Sequence, residues 1–229
     1  MTNINILANY EREIGLIDDP VKKPSSDDSL YWLNQGVAKF VKLRFNGDFV
    51  HKTSYEQNEK RTQDLIHLLR TAYCKPVEEC KDGYTRYRIT YPEDFLYTLN
   101  EDVVISDNNG GHKMPVSVFE CTADSFMYRI MNKLTDFHYQ RFRARPIRVK
   151  TAVGCDILTD GKYKVDKYTL GYLRQPKEIT LENPFDEYTD FSDEVMFEII
   201  KIAAQMYVEN TTAAEKRYET ISNEVNTQE

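Results

Sequence analysis

The chain has 229 residues, of which 41% are hydrophobic and 29% charged, and its formal net charge is −7. That is enough length for one large domain or two small ones, and enough apolar content for a real core. No apolar run approaches the roughly 20 residues of a membrane span, and the acidic balance argues against nucleic-acid binding over the whole surface.

Charge is unevenly spread. From Glu182 to Glu229 there are 12 acids against 3 bases, while the rest of the chain carries 27 bases and 25 acids. An acidic C-terminal third reads either as a solvated helix and tail or as a segment that docks on a basic partner. The 16 tyrosines suit surfaces that are apolar at one end and wet at the other, as at protein interfaces. Met1 to Pro20 lacks the basic start and apolar stretch of a signal peptide. Cys74, Cys80, Cys121 and Cys155 have no CxxC spacing, so they read as free thiols in a reducing compartment.

In chain order, the first region is helical. Asn3 to Ile14 carries Ile6, Leu7, Tyr10 and Ile14 on one side, with Gly15 and Pro20 expected to end it. Ser26, Asp27 or Asp28 can cap a second helix whose apolar positions Leu30, Leu33, Val37 and Phe40/Val41 follow the 3.6 period. Asn46-Gly47-Asp48 breaks it. Thr53-x-x-Glu56 and Ser54-x-x-Gln57 both spell capping boxes, predicting a third helix with Leu65, Leu68, Leu69 and Ala72 as its stripe.

The middle region is β-rich. Tyr87, Ile89 and Tyr91 alternate with Arg86, Arg88 and Thr90, the period of a half-buried strand. Pro92-Glu93-Asp94 starts a turn or a short helix. Val103 to Ile105 and Val116 to Phe119 read as short strands around an Asn108 to Gly111 tip. Thr122 to Phe137 reads as a helix, with Phe126, Ile130, Leu134 and Phe137 in register. Ile147 to Leu158 and Tyr163 to Leu173 flank Thr159-Asp160-Gly161, a hairpin signal.

The last region returns to helix. Asp190 or Ser192 caps it, and Asp193 and Glu194 sit in its first turn, where the helix dipole favours acids. Val195, Ile199, Ile202 and Met206 form one stripe; Met196, Ile200, Ala203 and Tyr207 form the next. So broad a face predicts packing back on the N-terminal helices. The expected fold is therefore α+β: an antiparallel helical bundle of residues 1–75 and 190–215, an inserted β-rich module of 76–189, and a flexible C-terminal tail of 216–229.

Catalytic chemistry finds no local support. His51, His67, His112 and His138 show no HxxxH, HxH or HExxH spacing, so no metal site is expected. Phosphate-loop glycine spacing and GxSxG are missing. Paired acids such as Glu93-Asp94 and Asp193-Glu194 fit helix first turns. The chain is expected to be no enzyme and to need no cofactor. The unusual charge cluster is Arg141, Arg143, Arg145, Arg148 and Lys150, interleaved with Phe142, Ala144 and Ile147. If it is extended, Arg141, Arg143 and Arg145 share one face. Such a strip can pair with carboxylates of a neighbouring subunit, which makes Arg141, Arg143, Arg145 and Arg148 subunit-interface candidates. The alternative is a nucleic-acid-binding module that uses Arg141 to Lys150.

Three segments taken together resemble a known family: Asp28-Ser29-Leu30-Tyr31-Trp32-Leu33-Asn34-Gln35, the run Thr53 to Leu65 (TSYEQNEKRTQDL), and Tyr172-Leu173-Arg174-Gln175-Pro176 with its acidic loop and helix. This order is similar to the head-to-tail connector ring or adaptor proteins of short-tailed bacteriophages, particularly the crAss-like phages. The resemblance implies a non-enzymatic virion protein. It would form a twelvefold ring beneath the portal, line the DNA passage without sequence-specific contact, and join the portal to further tail or ring proteins. It places the protein at the head–tail junction of the virion, in host cytoplasm during assembly, and away from membranes. It also makes Glu209 to Glu229 a portal-reaching arm, with Glu209, Tyr218, Ile221 and Val225 as portal-docking candidates.

Overall fold

A computed structural model describes residues 1–17, 24–46, 59–81, 83–107, 113–140 and 144–226, leaving aside the side chains of 80, 81 and 212–226. The described residues form a mixed α and β structure with five helices and two sheets. The chain divides into two compact units. One is Met1–Leu68 together with Pro176–Glu229; the other is Leu69–Gln175.

The first unit is helical. Helix α1 (Asn3–Ile17) buries Ile6, Tyr10 and Ile14, one residue per turn. Gly15, the expected stop, lies inside it, and Pro20 is outside the described residues. Helix α2 (Ser26–Asn46) buries Leu33, Val37, Phe40 and Val41, while Leu30 is half-buried. Its cap is Ser25, one residue before the expected caps. Ser25 Oγ accepts the Asp28 N–H at 3.2 Å and donates to the Asp28 carboxylate at 2.7 Å, so the cap is tied to the helix's third residue twice.

The long helix α5 (Asp193–Asn226) packs against both α1 and α2. Ser192 Oγ accepts the Val195 N–H at 3.4 Å, so Ser192 is the cap. Asp190, the other candidate, is fully buried and accepts the Lys177 N–H at 2.8 Å. The buried face of α5 is Val195, Met196, Ile199, Ile200, Ala203 and Ala204. Gly36 of α2 faces Ala203, and a Cβ at Gly36 would lie 2.8 Å from the Ala203 Cβ. Arg44 pairs with Asp64 at 2.8 Å and with Glu198 at 2.5 Å, and its guanidinium lies 4.8 Å from the Phe40 ring centroid. It thereby links α2, α5 and the short helix α3 (Glu59–Asp64). Asn34 exchanges two hydrogen bonds with the Ile179 backbone, at 3.2 and 2.9 Å, pinning the segment that leads into α5.

The expected third helix is a correction. The capping boxes at 53–57 lie outside the described residues. Helix α3 has only six residues, and a 3-10 turn over Ile66–Leu68 ends the helical stretch. Leu69 and Ala72 stand in strand β1 (Leu69–Cys74), paired from Leu69↔Leu173 to Cys74↔Tyr168. A ladder of backbone bonds to a long neighbouring strand outweighs the weak local helix preference of Leu-Arg-Thr-Ala-Tyr-Cys.

The second unit holds both sheets. Strands β2 (Val77–Lys81), β3 (Tyr84–Thr90), β8 (Gly154–Thr159), β7 (Ile147–Thr151) and β6 (Phe119–Cys121) form one, in that order. Only the β6–β7 pair is parallel. The other sheet runs β1, β9 (Tyr163–Arg174), β4 (Phe95–Asp107), β5 (Lys113–Ser117) and is antiparallel throughout. As expected from the alternation, Tyr87 and Ile89 are buried. They share a core with Val103, Ile105, Ile157, Tyr163, Tyr168 and Leu170, drawn from both sheets.

Two further expectations are corrected here. Thr159-Asp160-Gly161 does not close a hairpin, because β8 and β9 belong to different sheets. Asp160 accepts the Lys162 N–H at 3.0 Å and Gly161 has φ +76°, so the turn hands the chain from one sheet to the other. The hairpin is instead β7–β8, closed at Thr151↔Gly154. Thr122 to Phe137 is not one helix either. Only Phe126–Met131 (α4) is helical, and turns follow. Phe126 and Ile130 pack beneath it on Phe137, Ile147, Val149 and Leu158, whereas Leu134 is 94% exposed.

Candidate functional site

The arginine run divides between the inside and the surface of the second unit. Arg141 and Arg143 lie outside the described residues, and 144–146 form no strand, so the one-faced basic strip does not extend through them. Arg145 is half-buried. Its guanidinium donates to the Val118 carbonyl at 3.3 Å and lies 5.3 Å from the Phe119 ring centroid. Arg148 is only 4% exposed. It pairs with buried Glu101 at 2.8 Å and with Glu120 at 3.0 Å, and Lys150 also holds Glu120 at 3.2 Å. Arg148 and Lys150 thus meet acids of their own subunit, and Arg148 is buried among them.

Arg148 belongs to a polar network between the sheets. Glu101 on β4 accepts from the Tyr168 hydroxyl at 2.6 Å and from the Tyr91 hydroxyl at 2.9 Å, both at Oε1. The Cys155 thiol on β8 donates to the Tyr168 oxygen at 3.6 Å. Burial pushes the Cys155 thiol up to about 11. Burial first, then the neighbouring Cys155 and Glu101, raises the Tyr168 hydroxyl far above its ordinary value. Both groups therefore stay protonated at neutral pH. Spacing could not reveal the network, since its members come from residues 91, 101, 148, 155 and 168. Glu101 stands between Asn100 and Asp102 in β4, so its burial opposite Leu170 had no signal in the sequence.

The β6–β7 crossover presents a different chemistry. Met127 (40% exposed), Tyr128 (81%), Met131 (72%) and Leu134 (94%) point outward from α4 and the turn after it. The loop beneath them is fixed from several sides. Arg129 pairs with Asp136 at 2.5 Å and lies 3.5 Å from the Phe119 ring centroid. A ring nitrogen of His138 bonds the Ile130 carbonyl at 3.0 Å, and the Tyr139 N–H donates to Asp160 at 2.8 Å. The Arg145 N–H donates to the Asp136 carbonyl at 2.7 Å, so the arginine run leaves directly beside this loop. The loop thus holds four large apolar side chains in water.

A family model described as phage tail ring protein 3/4 matches residues 29–192, well over half of the chain. The chain belongs to this family. It is a structural protein of a phage virion, one that assembles as a ring with other tail components. No curated protein shows a significant match to it.

The match runs from the first turns of α2, through both sheets, to the cap of α5. Helix α5 lies beyond it and carries the remaining candidates of this ring protein. Glu209 is exposed on α5, and Tyr218, Ile221 and Val225 stand further along its helical backbone. Ala204 is the last buried side chain described on α5, whereas the helix continues to Asn226. Among the described residues no group of His, Cys, Asp and Glu is placed to hold a metal ion, and no helix is long and apolar enough to cross a membrane. Cys74, Cys121 and Cys155 are free thiols.

Proposed function

We propose that this ring protein is the adaptor beneath the portal: a non-enzymatic, twelvefold ring that joins the capsid portal to the tail and surrounds the DNA passage. In this reading α1, α2 and α5 form a bundle that carries the Leu69–Gln175 unit as an insertion. The bundle sends the C-terminal half of α5 to the portal, and the β unit meets neighbouring copies and downstream tail proteins. DNA passes without sequence-specific contact.

The observation that carries the reading is the shape of α5. The helix has 34 residues, a length of about 50 Å at 1.5 Å per residue, and Ala204 is the last buried side chain among those described on it. In this reading the helical backbone that continues to Asn226 serves as an arm. Its charge suits a basic receptor, since Glu182 to Glu229 holds 12 acids and 3 bases. One arm binds weakly, and a ring of arms binds firmly, because every further contact is made at high effective concentration. Deleting Asn210 to Glu229 is expected to lower helical circular dichroism only by the residues removed, to leave the melting of the core unchanged and to abolish capture by immobilised portal. Full capture of the truncated chain would remove the docking role.

A further inference from the structure

Exposed apolar side chains stand in both compact units, and the units differ in net charge. In the second unit, Met127, Tyr128, Met131 and Leu134 crown the β6–β7 crossover. In the first, Ile4 (41% exposed) and Phe185 (78%) are neighbours, because the Ile4 N–H donates to the Pro184 carbonyl at 2.9 Å and the Asn3 N–H to the Asp186 carbonyl at 3.1 Å. Exposed Glu182, Asp186 and Glu187 rim this second patch. Leu69–Gln175 has 17 bases and 14 acids, a balance of +3; the remainder has 13 bases and 23 acids, a balance of −10.

We infer that the β6–β7 crossover of one copy seats on the Ile4–Phe185 patch of the next copy, so that the ring closes through a head-to-tail contact between unlike units. The inference rests on the ring assembly that the family establishes and deepens it by naming the two faces. A ring requires two different, complementary surfaces on each subunit. Copies that each carry −7 repel one another unless the joint brings unlike charge together or buries apolar surface. This pairing does both. It sets a basic unit against an acidic one, and it covers large side chains that otherwise face water. The flexible thioethers of Met127 and Met131 can mould to an aromatic ring such as Phe185, and Tyr128 brings a polar tip to the rim. Because Arg129, His138, Tyr139 and Arg145 fix the loop from below, little ordering cost opposes the contact.

A head-to-tail joint has a test that a two-fold contact cannot mimic. Leu134→Asp spoils the crossover face and Phe185→Asp the receiving face. Both residues are so exposed that the subunit should fold and melt as before. The variants and the unaltered chain are sized by light scattering and imaged by negative stain, alone and on purified portal. Each variant alone should fail to form rings until at least about tenfold higher concentration. An equimolar mixture of the two should stop at dimers, since each pair retains one intact joint and exposes two spoiled faces. Rings from either variant at the unaltered chain's concentration would overturn the inference while leaving the ring reading intact. So would a mixture that yields no dimers, or cross-linking from Leu134→benzoylphenylalanine in assembled tails that captures a different tail protein. If the unaltered chain itself forms no ring in either setting, the ring reading fails as well.

Discussion

At the residue scale, the second unit depends on one buried charge pair. Arg148 and Glu101 are each about 5% exposed at the side chain and 2.8 Å apart, and the Tyr91 and Tyr168 hydroxyls complete the carboxylate's shell. Removing one partner of a buried pair strands the other. Arg148→Met should therefore cost about 3–5 kcal/mol. Adding Glu101→Leu to it should recover much of that loss, because the stranded carboxylate is gone; equal urea midpoints for the single and double variants would refute the pairing. The same network gives a pH dependence on the alkaline side. The unfolded Cys155 thiol titrates near about 8.5, whereas the folded one is held up to about 11. Its contribution is complete below the unfolded value and is lost as pH rises to the folded one, by at most about 1.4 kcal/mol per pH unit. Melting temperature should therefore fall between pH 8.5 and 11, and Cys155→Ala should flatten part of that fall. A melting temperature constant across the window would show that the thiol is not buried as described.

At the element scale, α5 and α2 are held at close range by the smallest side chains available. A Cβ on Gly36 would meet the Ala203 Cβ at 2.8 Å, whereas a Cβ on Gly15 in α1 meets nothing within 4 Å. Both glycines sit in helices, so alanine at either position gains up to about 1 kcal/mol of helix propensity. Gly15→Ala should show that gain as a raised melting temperature. Gly36→Ala should lose it to overpacking, and a rise equal to that of Gly15→Ala would mean the two helices are further apart than described. Elements with a strong period were legible in the sequence. Ile6-Tyr10-Ile14, Leu33-Val37-Phe40 and Val195-Ile199 repeat on one helix face, and the structure buries them. What sequence alone hid was decided by distant partners. Leu69 to Cys74 becomes a strand because β9 is there to pair with it. Thr159 to Gly161 carries a hairpin's turn chemistry but joins two sheets, because β8 and β9 each find other neighbours. Leu134 keeps helical register with Phe126 and Ile130, yet α4 stops at Met131 and leaves it in water. The arginine run was visible as a cluster, but its division between a buried pair and the surface depended on Glu101 and Glu120, residues 47 and 28 positions upstream of Arg148.

At the scale of the whole molecule, the two units carry opposite balances of charge and different exposed apolar groups. That polarity suits a subunit that must meet identical copies on two unlike faces. The measurement that reaches furthest is cryo-electron microscopy of the intact head–tail junction, with this chain located by its fold. The expected density is a closed twelvefold ring of this chain directly below the portal, with the C-terminal turns of α5 against portal subunits and DNA in the central channel. A ring of this chain separated from the portal by another protein, or α5 directed away from it, would contradict the adaptor role.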